Sequence, residues 1–322
     1  MEKRLVDSFG RVHDYLRISL TDNCNLRCTY CMPHEDMVFT PIAKLMSANE
    51  IFEIAKTFVE LGVTKIRLTG GEPLVRKDAR SILKQLSTLP VSLTITTNAT
   101  QVHHFIDDFI EAKISSVNVS LDTFNKEKYL KITRRNNFDV VLSNIHLLVK
   151  NNFHVKVNTV VMNGVNDDEL LDFVAFTKYN PVHVRFIEFM PFKGNDWQRN
   201  KVFSYKQMLD VIEEKYVIEK LVDEKHATAK KYKVQNFAGT FAFINTVTLP
   251  FCGDCNRLRL TADGKMKNCL FSKGEIDLLQ HHRNGLDIRE LIHNSIRNKK
   301  AQTGGQDFSL PTENRSMIAI GG

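Results

Sequence analysis

The sequence predicts an α/β fold: a partial (β/α)6 TIM-like barrel over residues 1–190, followed by a smaller α+β region over residues 191–322. Three observations carry that expectation. Six strand-then-helix units follow one another in about the first 190 residues, which argues for a parallel sheet with helices outside it. The alternation stops after Met190, where polar, loop-like and then antiparallel-looking segments begin. The six cysteines fall into two groups of three: Cys24, Cys28 and Cys31 just past the first strand, and Cys252, Cys255 and Cys269 in the C-terminal region.

Each element has its own signal. Tyr15–Leu20 alternates as a strand does. Ser47 and Glu50 form a capping box that opens a helix through about Leu61, with Ile51, Ile54, Ala55, Phe58 and Leu61 on one face. A strand at Val63–Thr69 runs into the turn Gly70-Gly71-Glu72-Pro73. A helix near Lys77–Ser87 and a strand at Val91–Thr97 come next. The pattern repeats with a helix near Gln101–Ala112, a strand at Ser116–Leu121, a helix near Val140–Lys150, a strand at Phe153–Val161, a helix at Asp167–Lys178 and a strand at Val182–Ile187. Beyond Pro191, Phe192–Phe203 reads as loop and Tyr205–Glu214 as helix. Val217–Val222, Ala229–Gln235 and Thr240–Val247 read as antiparallel strands. In a closed or partly closed barrel of this kind, chemistry sits at the C-terminal ends of the strands. The first cysteine run, the Gly-Gly-Glu-Pro turn and Thr96-Thr97-Asn98 all fall there.

Composition is that of an ordinary globular chain. No apolar run is long enough to span a bilayer, and the start MEKRLVDSFGRVHD is too polar for a secretory signal. The expectation is a cytoplasmic protein with no membrane association, whose thiols stay reduced. The net charge of +7, from 44 basic against 37 acidic residues, suits an anionic substrate. There is no long Lys/Arg block and no nucleic-acid-binding signature, so nucleic acid is not the expected partner.

The cysteine spacing narrows the chemistry. Cys24-Asn25-Leu26-Arg27-Cys28-Thr29-Tyr30-Cys31 offers three thiols in eight residues. A disulfide would leave one unpaired, and zinc would need a fourth ligand such as His34. Three thiolates suit a four-iron cluster with one iron open to a small molecule. The second group, C-x2-C-x13-C, is likewise one ligand short of a zinc site, which His281 or His282 could complete. Arg257 and Arg259 come just after its second cysteine and would share one face of an extended segment. An open iron beside two guanidinium groups suits a phosphate-bearing substrate. Lys65 and Arg67 also share a strand face. An inward charge there is costly without an anion to meet it.

The first run, with an aromatic before its last cysteine and Gly70-Gly71-Glu72-Pro73 behind it, resembles the signature of the radical S-adenosylmethionine (SAM) enzymes. There, SAM occupies the open iron and is cleaved by one electron to a 5'-deoxyadenosyl radical. The resemblance implies that Gly71 and Glu72 hold the SAM amino group, that Tyr30 lies near the adenine, and that Ser120 and Met190 complete the SAM site.

Longer stretches resemble one branch, the GTP 3',8-cyclase family (molybdenum cofactor biosynthesis protein A). They are CNLRCTYC, KIRLTGGEP, TITTN, VNVSLD, VKVNTVV, VRFIEFMP, FCGDCNRLRLTADGKMKNCLF and the terminal Ile320-Gly321-Gly322. The resemblance implies two [4Fe-4S] clusters, one on Cys24, Cys28 and Cys31 and one on Cys252, Cys255 and Cys269, the second anchoring guanine. It implies a reaction in which the ribose 3' hydrogen of GTP is removed, the 3' carbon attacks C8, and reduction gives 3',8-cyclo-7,8-dihydro-GTP. By the same resemblance GTP is held by Arg17, Lys65, Arg67, Thr96, Lys156, Arg185, Arg257 and Arg259, with Arg17 and Arg185 catalytic, and the Gly-Gly tail reaches into the site. The family further implies an external electron donor and a cyclic pyranopterin monophosphate synthase that takes the product, with a homodimer among the expected assemblies. Two positions depart from the family: Asn23 stands where arginine is common, and Ala99 where glycine is usual. Alanine tolerates positive φ less well in the turn after Thr-Thr-Asn.

Overall fold

The structure is a computed structural model and describes residues 4–32, 34, 36–308 and 314–321. In chain order the elements through the sixth strand are β1 (Tyr15–Ser19), α1 (Ala48–Glu60), β2 (Lys65–Thr69), α2 (Ala79–Leu86), β3 (Ser92–Thr97), α3 (Ile106–Glu111), β4 (Ser116–Ser120), α4 (Lys126–Thr133), α5 (Phe138–Lys150), β5 (Val155–Val161), α6 (Leu170–Phe176) and β6 (His183–Glu188). The expected capping box is present: Ser47 Oγ accepts from the Glu50 amide and Glu50 Oε2 accepts from the Ser47 amide. The helices expected from Gln101 and Asp167 each begin with a short 3-10 turn before the α-helix.

Helix α4 has no counterpart among the elements expected from the sequence. Its apolar periodicity is weak, but Asn125 caps it by accepting from the Glu127 and Lys128 amides. It matters for the cysteine loop, because the Arg27 and Thr29 amides bond the carbonyls of Thr133 and Ile132 at its C-terminal end.

The C-terminal region adds α7 (Tyr205–Glu213), β7 (Ile218–Lys220), β8 (Lys230–Val234), β9 (Thr240–Ile244), β10 (Arg257–Leu260), β11 (Lys265–Lys267), β12 (Ile276–Asp277), α8 (Leu278–Arg283), α9 (Arg289–Arg297) and α10 (Met317–Ile320). β8 lies antiparallel between β7 and β9, but the three build no separate sheet. β9 lies parallel to β6, and β10 lies parallel to β1 on the opposite side. The strand order is β12-β11-β10-β1-β2-β3-β4-β5-β6-β9-β8-β7, an open sheet whose central arc from β10 to β9 is parallel.

The period-2 alternation sorts this sheet into two chemistries. Leu16, Ile18, Ile66, Leu68, Val117, Val119, Val155, Val157, Val184 and Phe186 belong to one large apolar core with the helices. The alternate positions are polar and turn the other way, into the arc. The register aligns them across strands. Lys65, Tyr15 and Arg257 form one row, Arg67, Arg17 and Arg259 the next, and Thr96, Asn118, Lys156 and His183 a third.

Candidate functional site

The first cysteine group folds as a loop between β1 and α1. The Cys31 and Met32 amides bond the Cys28 carbonyl, and Asn98 donates to Cys24 Sγ at 3.7 Å. The Gly70-Gly71 turn closes on its base. A Cβ on Gly70 would stand 2.5 Å from the Thr21 carbonyl oxygen, and one on Gly71 would stand 2.4 Å from that of Asn23, so only glycine permits this approach. Asn23 contributes that carbonyl to the Glu72 amide at 2.8 Å. Ala99 does adopt φ of 60°, the left-handed turn that favours glycine.

A cavity of about 170 Å³ opens above this loop. Cys24, Cys28, Cys31, Tyr30, Gly71, Thr96, Asn98, Ser120, Asp122 and Asn158 line it. Tyr30 donates to Asp122 Oδ2 at 2.7 Å, and burial raises the Asp122 carboxyl to about 6. Glu72, expected at the SAM amino group, sits behind the glycine turn. It does not line the cavity, and its fully buried carboxylate accepts from Leu74 N, Thr97 Oγ1 and Asn98 N. It clamps the glycine turn to the end of β3.

The second cysteine group lines another cavity, with Arg17, Arg185, Met190, Phe251, Arg257, Arg259 and Met317. Cys252 and Cys255 come from the loop before β10, and Cys269 from the loop after β11. Met190, expected at the SAM site, lines this cavity. Asn158, Ile187 and Met317 are shared with the first cavity.

A third cavity lies at the other end of the arc, lined by Tyr15, Arg17, Lys65, Arg67, Asn118, Lys156, His183, Arg185, Lys231 and Arg257, with Glu224 as the carboxylate facing it. Arg17, Asn118, Arg185 and Arg257 also line the second cavity. The three spaces therefore form one series: first cysteines, second cysteines, cationic chamber. Thr96 lies at the first-cysteine end, within 3.5 Å of Arg67, not in the chamber.

The chamber's charges are crowded. Burial, then Arg185, Arg67 and Lys65, brings the Lys156 ammonium down to about 7. Arg185 falls to about 9 through burial and the Arg67 charge; its Nε and one terminal nitrogen are buried without a hydrogen-bond partner. Burial would raise the Tyr15 phenol, but Arg67 and Arg17 outweigh it and bring it to about 7; Arg67 donates to its oxygen at 2.5 Å. An anion is the partner this arrangement calls for.

Tyr15, Asn118, Asn158, Asp122 and His183 were missed in the sequence. The available signal was strand phase: each lies two residues, or one cross-strand step, from a residue already selected.

The tail reaches this site. Gly321 has φ of 84°, and Arg259 donates to its carbonyl at 2.6 Å. A Cβ there would stand 2.7 Å from Thr69 Oγ1. Arg315 holds the segment through ion pairs to Asp263 and Glu275. Gly322 lies outside the described residues.

In each cysteine group three thiols border a cavity, a donor set that fits a four-iron cluster with one iron left open. His34 is exposed, and neither His281 nor His282 lines the second cavity.

The chain matches the Radical SAM superfamily over residues 18–177 and Molybdenum Cofactor Synthesis C over residues 182–304. It is 47% identical over 324 residues to "Molybdenum cofactor biosynthesis protein 1" of Mus musculus, covering 98% of this chain and 51% of that protein. It is 45% identical to "GTP 3',8-cyclase, mitochondrial" of Arabidopsis thaliana, covering 99% and 83%. The chain thus spans about half the length of the molybdenum cofactor biosynthesis protein 1 relatives. Among solved structures, Streptococcus suis SuiB bound to precursor peptide SuiA shares the fold with a TM-score of 0.63 at 14% identity, covering 96% of this chain and 70% of that one.

Proposed function

The chain belongs to the GTP 3',8-cyclase family of radical SAM proteins, and we propose that it converts GTP to 3',8-cyclo-7,8-dihydro-GTP, an early step of molybdenum cofactor biosynthesis. The observation that carries this reading is the cationic chamber, which adjoins the second three-cysteine cavity through the shared residues Arg17, Arg185 and Arg257, while that cavity shares Asn158, Ile187 and Met317 with the first. A nucleoside triphosphate has the polarity to occupy it, with phosphates among Lys65, Arg67 and Lys156 and base toward the second cysteines.

Cys24, Cys28 and Cys31 would hold a [4Fe-4S] cluster with SAM; Cys252, Cys255 and Cys269 would hold a second cluster. When bound, these groups supply a 5'-deoxyadenosyl radical at one end and an iron site for guanine at the other. The chain's own residues do the positioning. The Gly71 backbone and Ser120 face the SAM cavity, and Asp122 holds the Tyr30 hydroxyl beside it. Arg17 and Arg185 stand where base and phosphate cavities meet, which supports a role in orienting the ribose between them. Arg259 keeps the Gly321 end of the tail in the barrel mouth.

The reaction also needs an external one-electron donor, and its product would pass to a cyclic pyranopterin monophosphate synthase. Among the described residues no helix is long and apolar enough to cross a membrane. All six cysteines are free thiols, which suits a reducing, cytoplasmic setting, with a homodimer as a candidate assembly. The test is anaerobic: reconstitute with iron and sulfide, add SAM, dithionite and GTP, and follow nucleotides by mass spectrometry. The expected result is 5'-deoxyadenosine together with an isomer of GTP. Deoxyadenosine with GTP untouched would refute the substrate.

A further inference from the structure

Behind the second cysteine group, on the side away from the cavities, lies a buried polar chain that the proposed reaction does not use. Residues Leu5–His13 form a small hairpin: Val6 bridges Val12, and the His13 amide bonds the Leu5 carbonyl at 2.8 Å. Asp7, 5% exposed, accepts from Phe9 N, Arg11 N and Arg11 Nε, and meets His13 Nε2 at 3.0 Å. His13 Nδ1 faces Lys299 Nζ at 3.4 Å. Lys299 Nζ in turn donates to the Arg257 carbonyl at 3.1 Å and to Cys255 Sγ at 3.7 Å.

The partners decide the protons. A carboxylate at Nε2 requires that nitrogen to donate, and an ammonium at Nδ1 requires that nitrogen to accept. His13 is therefore neutral and protonated on Nε2, a bridge between an anion and a cation. Lys299 is 3% exposed, and among the described residues no carboxylate pairs with it directly. A buried ammonium is costly unless an anion meets it. The anion in its first contact shell is a thiolate at Cys255. The same hairpin braces the loop from its other end: Arg11 donates to the carbonyls of Cys252, Lys300 and Ala301, and the Thr303 amide donates to Cys252 Sγ at 3.3 Å.

We propose that Lys299, oriented by His13 and Asp7, is a positioning residue of the second cluster: its ammonium is held against the Cys255 sulfur and sets that cluster's charge environment and reduction potential. The inference rests on the two-cluster reading of the function. Hydrogen bonds and positive charge at a cluster sulfur favour the reduced, more negative state, so loss of the ammonium moves the potential downward. Lys299 lines none of the three cavities, so its effect reaches substrate only through the cluster.

The test is a redox titration monitored by electron paramagnetic resonance on full-length, anaerobically reconstituted protein. The second cluster is the signal that GTP perturbs and Cys252→Ala removes. Lys299→Gln and Lys299→Met are each expected to shift its midpoint to more negative potential, with Lys299→Arg shifting it less and the SAM-responsive signal unmoved in all three. An unmoved second midpoint in a folded neutral variant overturns the proposal. Wild-type iron content indifferent to Cys252→Ala overturns the two-cluster reading itself, and is seen before any Lys299 variant is compared.

Discussion

The two cysteine groups each present three thiols, but the charges beside them differ. At the first, burial pushes all three thiols up, Cys24 to about 11 with help from Glu72, and Asp122 adds to the rise at Cys28 and Cys31. At the second the thiols differ: burial raises Cys252, whereas at Cys255 Arg257 and Lys299 outweigh burial and bring that thiol to about 6. Carboxylates around one site suit a cofactor carrying ammonium and sulfonium charge. Cations around the other suit an anionic substrate. Ligand type alone does not assign a role to a cysteine cluster; the charges behind it do.

This contrast is tested most severely by removing one site at a time. Cys24→Ala is expected to reduce 5'-deoxyadenosine to background. Cys252→Ala should keep SAM cleavage but lose GTP conversion. Loss of cleavage in the second variant would mean that the sites are not separable. Next in size is Arg185→Met. GTP affinity should fall about 10–100-fold, the value of roughly 1.5–3 kcal/mol for a bond to a charged group. The ligand-free melting temperature should rise by about 2–4 °C, because an unpartnered guanidinium leaves the chamber. A melting temperature that falls instead would show that Arg185 is a structural residue.

Lys156 makes the cationic pole titratable. Its pKa is about 7 in the folded protein, against an ordinary lysine in the unfolded chain, so between those values the unfolded state binds more protons. This group's contribution to ligand-free stability therefore rises as pH increases from 7 toward 10. GTP binding restores the charge. At pH 8 it should take up protons, and affinity should decline above pH 7. Calorimetry in buffers of different ionisation enthalpy measures the uptake, which Lys156→Met should reduce, the Tyr15 phenol of the same chamber supplying the remainder. The smallest effect concerns the support of the first site: Asn125→Ala removes the α4 cap at a cost of about 1 kcal/mol. A chelator should then strip iron faster from the first cluster and at an unchanged rate from the second.

The contrast between the groups also governs what was legible in the chain. Cys24, Cys28 and Cys31 lie within one turn-sized loop, so spacing alone announced them. The six parallel strands were legible because each buries one apolar face in a regular period. Helix α4 escaped, since its few apolar positions give little moment and its stability comes from a cap and from packing. Glu72 was assigned to a ligand because a carboxylate beside two glycines can serve either ligand or backbone. Only its burial shows that three donors of its own chain occupy it.

Local period and spacing were enough to specify the alternating strands with polar residues in phase, the two cysteine triads and the glycine turn, because each of these depends on near neighbours in the chain. Which polar residues share a chamber depends on tertiary structure alone. Arg17 meets Arg67 and Arg259 only through the register of β1 with β2 and β10, and β10 is separated from β1 by most of the chain. The fold also brings Asp7, His13 and Lys299 together behind Cys255. No period encodes that meeting. It arises because a parallel sheet, opened at one side, is extended at both edges by the C-terminal strands, and hydrogen-bond register sets contact irrespective of distance along the chain.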